Sequence, residues 1–214
     1  MTGGGPMGST PVRVKICGIT RAEDALEAVR LGADALGFNF WPQSKRYLDP
    51  EAARAIVASL PPFITTVGVF VNQSDDEIRR AAERSGVGVL QLHGDESPAF
   101  CTRFLHPVIK AIRVDALRSL AALASYEVRA FLLDTPSRGF GGSGAPFDWA
   151  LAEGISECRS VILAGGLTPE NVAAAIRAVQ PYAVDVASGV ESSPGRKDPE
   201  KMARFIWAAK EVQT

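Results

Sequence analysis

A thiol and a carboxyl group each close an apolar run in this chain: Cys17 ends "VRVKIC" and Asp134 ends "AFLLD". A buried cysteine is ordinarily just a small hydrophobe. Cys17, however, stands beside Gly18, where the chain must turn, so it sits at a boundary rather than inside a core. The types open to it are nucleophile, base or packed thiol. Asp134 follows three apolar residues, so its carboxylate must either reach water or be specifically paired. A carboxyl group in a partly dry site is harder to ionise, which suits a general acid; the alternative is a helix cap or an ion-pair partner.

Other residues can serve the same chemistry. Arg46 lies in "WPQSKRYLD", a long loop stiffened by Trp41 and Pro42. A guanidinium is shaped to clamp a carboxylate with two parallel hydrogen bonds. Gly165 and Gly166 precede a capped helix in "LAGGLTPEN", and Ser188 and Gly189 follow an apolar run in "ASGVESSPG". Glycines let backbone N–H groups approach a ligand, and helix starts attract anions. These two loops together therefore read as a phosphate grip rather than as plain turns. His93 in "QLHGDES" is either a hydrogen-bonded structural histidine or a substrate contact. Asp185 interrupts an apolar run and is expected to orient neighbours rather than to react. Lys15 shares a strand face with Cys17, and can either assist the thiol or simply line the interior.

Elements must bring these residues to one place. Eight apolar runs read as strands, starting near residues 12, 33, 63, 87, 107, 129, 160 and 182. Several are nearly continuous and β-branched, as in parallel strands covered on both faces. Helices separate them. Thr20-x-x-Glu23 and Ser74-x-x-Glu77 have the spacing of capping boxes. Asp49-Pro50, Ser97-Pro98, Thr168-Pro169 and Asp198-Pro199 each put a capping side chain before a first-turn proline. Weaker helical signals lie near 115–126 and 147–155. Strict alternation of strand and helix implies right-handed crossovers and a parallel sheet. At this length a single-domain (β/α)8 TIM barrel over residues 11–214 fits, and a doubly wound open sheet is the runner-up, weakened by the lack of G-x-G-x-x-G after the first strand. Barrels place their chemistry at the C-terminal ends of the strands. That rule selects Cys17, Asn39, Asn72, His93, Arg113, Asp134, Gly165, Gly166, Ser188 and Gly189. The Gly-rich stretch 135–146 offers a lid or a connection.

Composition sets the outer limits. The formal net charge of -1 over 214 residues gives no broad basic field for nucleic acid or an anionic membrane. No apolar run reaches the ~18 residues of a membrane span. Residues 1–10, "MTGGGPMGST", lack the charge and apolar pattern of a secretory signal and read as a disordered leader, with Met7 an alternative start. Three widely spaced cysteines and two histidines supply neither a disulfide framework nor a metal-ligand cluster, so a cytoplasmic protein without a metal or cofactor is expected. A monomer and a homodimer are equally compatible with the sequence.

Taken together, "VKICGIT", "GFNFWPQSKRYL", "LQLHGDES", "LLDT", "GFGGSGAPFDW", "LAGGLTPENV" and "DVASGVESSPGRKDPEK" resemble the phosphoribosylanthranilate isomerases of tryptophan biosynthesis, in the family's order from Val12 to Lys210. The resemblance implies a (β/α)8 barrel and an Amadori rearrangement of a phosphosugar. It implies Cys17 as general base, Asp134 as general acid, Arg46 as partner of the anthranilate carboxylate, and the loops at 165–166 and 188–189 as the phosphate grip. Lys45 stands where a proline is common and Ala187 where a serine is common. Another phosphosugar-converting barrel enzyme would keep the phosphate loops and change the acid and base. A non-catalytic phosphate-binding barrel would need no Cys17/Asp134 pair.

Overall fold

The computed structural model describes residues 12–114, 122–135 and 160–212. Within them the chain runs β1 (Arg13–Cys17), α1 (Ala22–Arg30), β2 (Ala35–Asn39), α2 (Pro50–Ala58), β3 (Thr65–Phe70), α3 (Asp75–Ser85), β4 (Val89–Leu92), α4 (Pro98–Cys101), β5 (Val108–Arg113), β6 (Ala130–Asp134), β7 (Val161–Leu163), α5 (Val172–Val179) and β8 (Ala183–Val186), then β9 (Glu191–Ser193), β10 (Arg196–Lys197) and α6 (Pro199–Lys210). Strands β1 to β8 pair in sequence order and β8 closes on β1, all parallel, so the sheet is a closed barrel. The open-sheet alternative is thereby removed. Strands β9 and β10 form a separate antiparallel ribbon after β8.

Each barrel strand buries both faces, and alternate residues serve different layers. One set packs the sheet against the helices, including Val14, Ile16, Leu36, Phe38, Leu90, Phe131, Leu133 and Val184. The other fills the lumen, with Val67, Ile109, Ala111, Leu132 and Ile162 among its residues. In β1 and β8 the lumen-facing positions nearer the C-terminal end are Lys15, Cys17 and Asp185, so the apolar plug carries a polar layer above it. The Lys15↔Asp185 and Cys17↔Gly37 pairings fix that layer.

Helix starts follow the capping chemistry with two exceptions. Asp49, Ser74, Ser97 and Asp198 each accept from a first-turn N–H, and Ser74 with Glu77 completes a capping box. The capping box expected at Thr20 does not form. Arg21 is the N-cap, without a side-chain cap, because the Thr20 hydroxyl instead donates to the Gly195 carbonyl across 2.5 Å. At Thr168-Pro169 the Thr168 hydroxyl does accept the Glu170 N–H, at 3.3 Å, and the departure is that the regular helix begins only at Val172. The Thr168 carbonyl still accepts the first turns from Asn171 and Val172, but the Asn171 side chain takes the Thr168 N–H and tightens the entry. Of the expected helix near 115–126, a short 3-10 turn occupies Ala122–Ser125, and residues 115–121 lie outside the described residues. So do the expected helix near 147–155, nearly all of the candidate lid at 135–146, and the 1–10 leader. No helix among the described residues is long and apolar enough to cross a membrane.

Candidate active site

Seven of the eight proposed site residues meet at one cavity. Its lining includes Cys17, Arg46, His93, Asp134, Gly165, Gly166 and Ser188. Gly189 does not line it. A Cβ there would meet the Leu167 carbonyl at 2.0 Å, so this glycine permits the loops after β7 and β8 to touch. Asn39 reaches the cavity and accepts the Trp41 N–H, which sets the start of the Arg46 loop. Asn72 and Arg113, also strand-end candidates, are not in the lining. Asn72 accepts from the Asp95 N–H and Arg113 pairs with Asp95, so both brace the loop after β4.

Cys17 is partly buried at the end of β1. Its thiol has room because Gly37 is its neighbour on β2: a Cβ at Gly37 would come within 2.7 Å of Cys17 Sγ and 3.2 Å of Lys15 Cε. Beneath it, buried Lys15 donates to Asp185 Oδ1 at 2.8 Å and to Gln91 Oε1 at 3.0 Å. Asp185 therefore orients a neighbour, as expected of a carboxylate inside an apolar strand. Burial pushes the Cys17 thiol up, and Asp185 adds to that; Lys15 and Lys197 pull the other way without cancelling it. Burial also works against the Lys15 ammonium, but Asp185 and Cys17 outweigh it and Lys15 titrates above its ordinary value.

On the opposite side of the cavity Asp134 closes β6. Its Oδ1 accepts the Thr135 N–H at 2.8 Å and its Oδ2 lies 3.1 Å from His93 Nε2. His93 Nδ1 lies 2.8 Å from Gln91 Nε2. Gly165, with φ 80, passes so close to this strand end that a Cβ would strike Thr135 Oγ1 at 2.2 Å. Gly166 is also left-handed, with φ 65. Two such residues in succession turn the backbone sharply into the cavity, which side chains with a Cβ adopt only under strain.

Arg46 crosses over Gly18, where a Cβ would meet Arg46 Cδ at 2.4 Å. It is held by a bidentate pair with Glu191, both bonds 2.7 Å. Hydrogen bonding to Glu191 raises Arg46 further. Burial works against ionised Glu191, yet Arg46 and Lys197 hold it below the usual carboxylate range. Lys197 is buried and donates to the carbonyls of Cys17 (2.6 Å) and Ala187 (3.0 Å) and to Glu191 (3.1 Å). It thus ties the ends of β1 and β8 to the β9–β10 ribbon. The Ala187 departure matters little to this contact, since a carbonyl is supplied by any residue. Glu191, Lys197, Gln91 and Gly37 escape a reading of strand ends. For Gln91 alone a signal exists, a polar residue on the lumen-facing period of β4.

Titratable groups gathered at the C-terminal mouth of a closed parallel barrel place the chain among the (β/α)8-barrel enzymes. A model of the N-(5′-phosphoribosyl)anthranilate (PRA) isomerase family matches residues 14–208, and the chain belongs to that family. It is 55% identical over 201 residues to the N-(5′-phosphoribosyl)anthranilate isomerase of Citrifermentans bemidjiense, covering 94% of this chain and 98% of that one. Its fold matches the crystal structure of phosphoribosyl anthranilate isomerase from Thermotoga maritima with a TM-score of 0.89 and 48% identity, over 94% of this chain and all of the other. A crystal structure of a phosphoribosyl anthranilate isomerase in complex with reduced 1-(o-carboxyphenylamino)-1-deoxyribulose 5-phosphate superposes with a TM-score of 0.85 at 46% identity, with 94% and 100% of the two chains covered.

Proposed function

We propose that this barrel converts N-(5-phosphoribosyl)anthranilate to 1-(2-carboxyphenylamino)-1-deoxyribulose 5-phosphate, the isomerisation step of tryptophan biosynthesis, with Asp134 as general acid and Cys17 as general base. The supporting observation is that the two groups line one cavity from strands three places apart around the ring. Asp134 gives its proton to the furanose ring oxygen. The C1′–O bond breaks as the anilino nitrogen lone pair forms C1′=N. Cys17, as thiolate, takes the proton from C2′, and the electron pair moves into C1′=C2′ and neutralises the nitrogen. The enolamine then gains a proton at C1′ and loses the C2′ hydroxyl proton, leaving a ketone. Electrons are redistributed within the sugar and none leave it.

The rest of the cavity suits the ends of this substrate. The backbone at Gly165 and Gly166, with Ser188 facing it, is a place for the phosphate. Arg46 spends one edge of its guanidinium on Glu191, and the N–H groups not so engaged remain for the anthranilate carboxylate. Glu191 thereby aims Arg46 at the cost of part of its charge. Trp41 lies in the same lining and offers an apolar face to the aromatic ring.

Replacing either proton-transfer group tests the reading. Cys17→Ala and Asp134→Asn should each lower kcat by about 10²-fold or more, measured by the fluorescence loss of phosphoribosylanthranilate, with the fold retained. Turnover near that of the parent in one variant would take that residue out of the mechanism. A binding module without catalysis would show no turnover in the parent itself.

A further inference from the structure

Five side chains form one hydrogen-bonded series, Asp185–Lys15–Gln91–His93–Asp134, running through the lumen from β8 to β6. Its direction follows from donor chemistry. An ammonium has protons and no lone pair, so Gln91 must turn its oxygen to Lys15. Its amide NH2 then faces His93 Nδ1, which must be unprotonated to accept. A neutral imidazole has one N–H, so the ring proton is on Nε2 and is donated to Asp134 Oδ2. The Thr135 N–H occupies Asp134 Oδ1. Each carboxylate oxygen is thus met by a protein donor from the strand-end side.

Resting on the reading of Asp134 as general acid, we propose that Gln91 is a positioning residue for this reaction: held by Lys15, it fixes His93 as the Nε2–H tautomer, and His93 with the Thr135 N–H confines the acidic proton of Asp134 to the side facing the substrate. Were His93 to carry its proton on Nδ1, its Nε2 lone pair would draw that proton into the protein and away from the ring oxygen. Gln91 is 1% exposed and Lys15 3%, so water does not compete for the bond between them. Of these five side chains Asp134 is the one assigned to the reacting atoms, which is why Gln91 acts on kcat through another residue rather than on binding.

The test is direct because the protein has only two histidines, His93 and His106, and His106 lies in the exposed loop before β5. A ¹⁵N spectrum of the imidazoles of the whole protein near pH 8 should show His93 with a protonated Nε2 and an unprotonated Nδ1. A proton on Nδ1 in the parent protein overturns the inference. Gln91→Glu keeps the side-chain size and the Lys15 contact but presents an acceptor to the ring. It should protonate Nδ1 and lower kcat by at least about tenfold, with KM changed by less than about twofold. Parent-like kcat alongside a protonated Nδ1 would also overturn it, whereas a purely structural role would lower the melting temperature and leave the tautomer as it is. The parent spectrum decides the matter if the variant does not fold. Asp134→Asn is the separate arm: full turnover there removes the acid assignment on which the inference rests, while the tautomer result stands by itself.

Discussion

Cys17 is the residue whose chemistry depends most on its surroundings. Among the described residues four charges face it: Lys15 from its own strand, Asp185 from β8, Lys197 from β10 and Arg46 from the loop after β2. Burial and Asp185 win over the cations, so the thiol holds its proton above the pH at which a free cysteine loses it. The proposed base works only when deprotonated. It follows that kcat/KM should climb with pH and that the ascending limb should lie above the ~8.5 of a free thiol. A pH profile of kcat/KM checks this, and a limb near neutrality would show that the cations dominate in solution. At this scale the sequence was informative where a residue type alone implied a position: a thiol or carboxyl at the end of an apolar run, or paired glycines before a helix. It was silent on the Arg46–Glu191–Lys197 cluster. Glu191 and Lys197 lie in a polar, glycine-containing stretch that reads as exposed, and only the folded β9–β10 ribbon buries them.

Among the elements, the helix caps separate local from tertiary control. Asp198 accepts from both the Glu200 and Lys201 N–H groups at 3.0 Å, and α6 then packs on β1 and α1. Asp198→Ala should cost about 1 kcal/mol, or roughly 2–4 °C in melting temperature for a chain of this size, with kcat retained. An unchanged melting temperature would mean that tertiary packing alone sets this helix start. Caps of this kind could be read directly, since the side chain and its N–H partner are two or three residues apart. Thr20 could not. Its hydroxyl is offered a carbonyl 175 residues away, and that partner is invisible to any local window. All eight barrel strands were legible because apolar β-branched runs of the right length are bounded by turn residues. The polar chain from Asp185 to Asp134 was not, because it depends on which residues stand opposite one another once the strands are in register.

For the molecule as a whole, the loops after β7 and β8 come together only if the barrel closes. Inorganic phosphate should therefore raise the melting temperature by linkage, an effect that grows to about 2.7 kcal/mol at one hundred times its Kd, and should inhibit competitively. Gly166→Asp should abolish both effects, since it places a carboxylate where the dianion is expected. The experiment is a phosphate titration of melting temperature on both proteins at constant ionic strength. Equal shifts would put the anion elsewhere.

The pairing of β1 with β8 also has a kinetic side. Lys15 and Asp185 are 170 residues apart in the chain, and bringing such distant segments together costs about 4–5 kcal/mol of loop-closure entropy. On a ribosome adding about 5–20 residues per second, Lys15 waits roughly 10–30 s before Asp185 exists. Until then β1 has a neighbour on one edge only, and its ammonium has no carboxylate to justify burial. The strand bearing the thiol is among the first parts of the protein to be made and among the last to reach its final surroundings. A nascent chain halted before β8 should expose Cys17 to thiol reagents that the finished barrel resists.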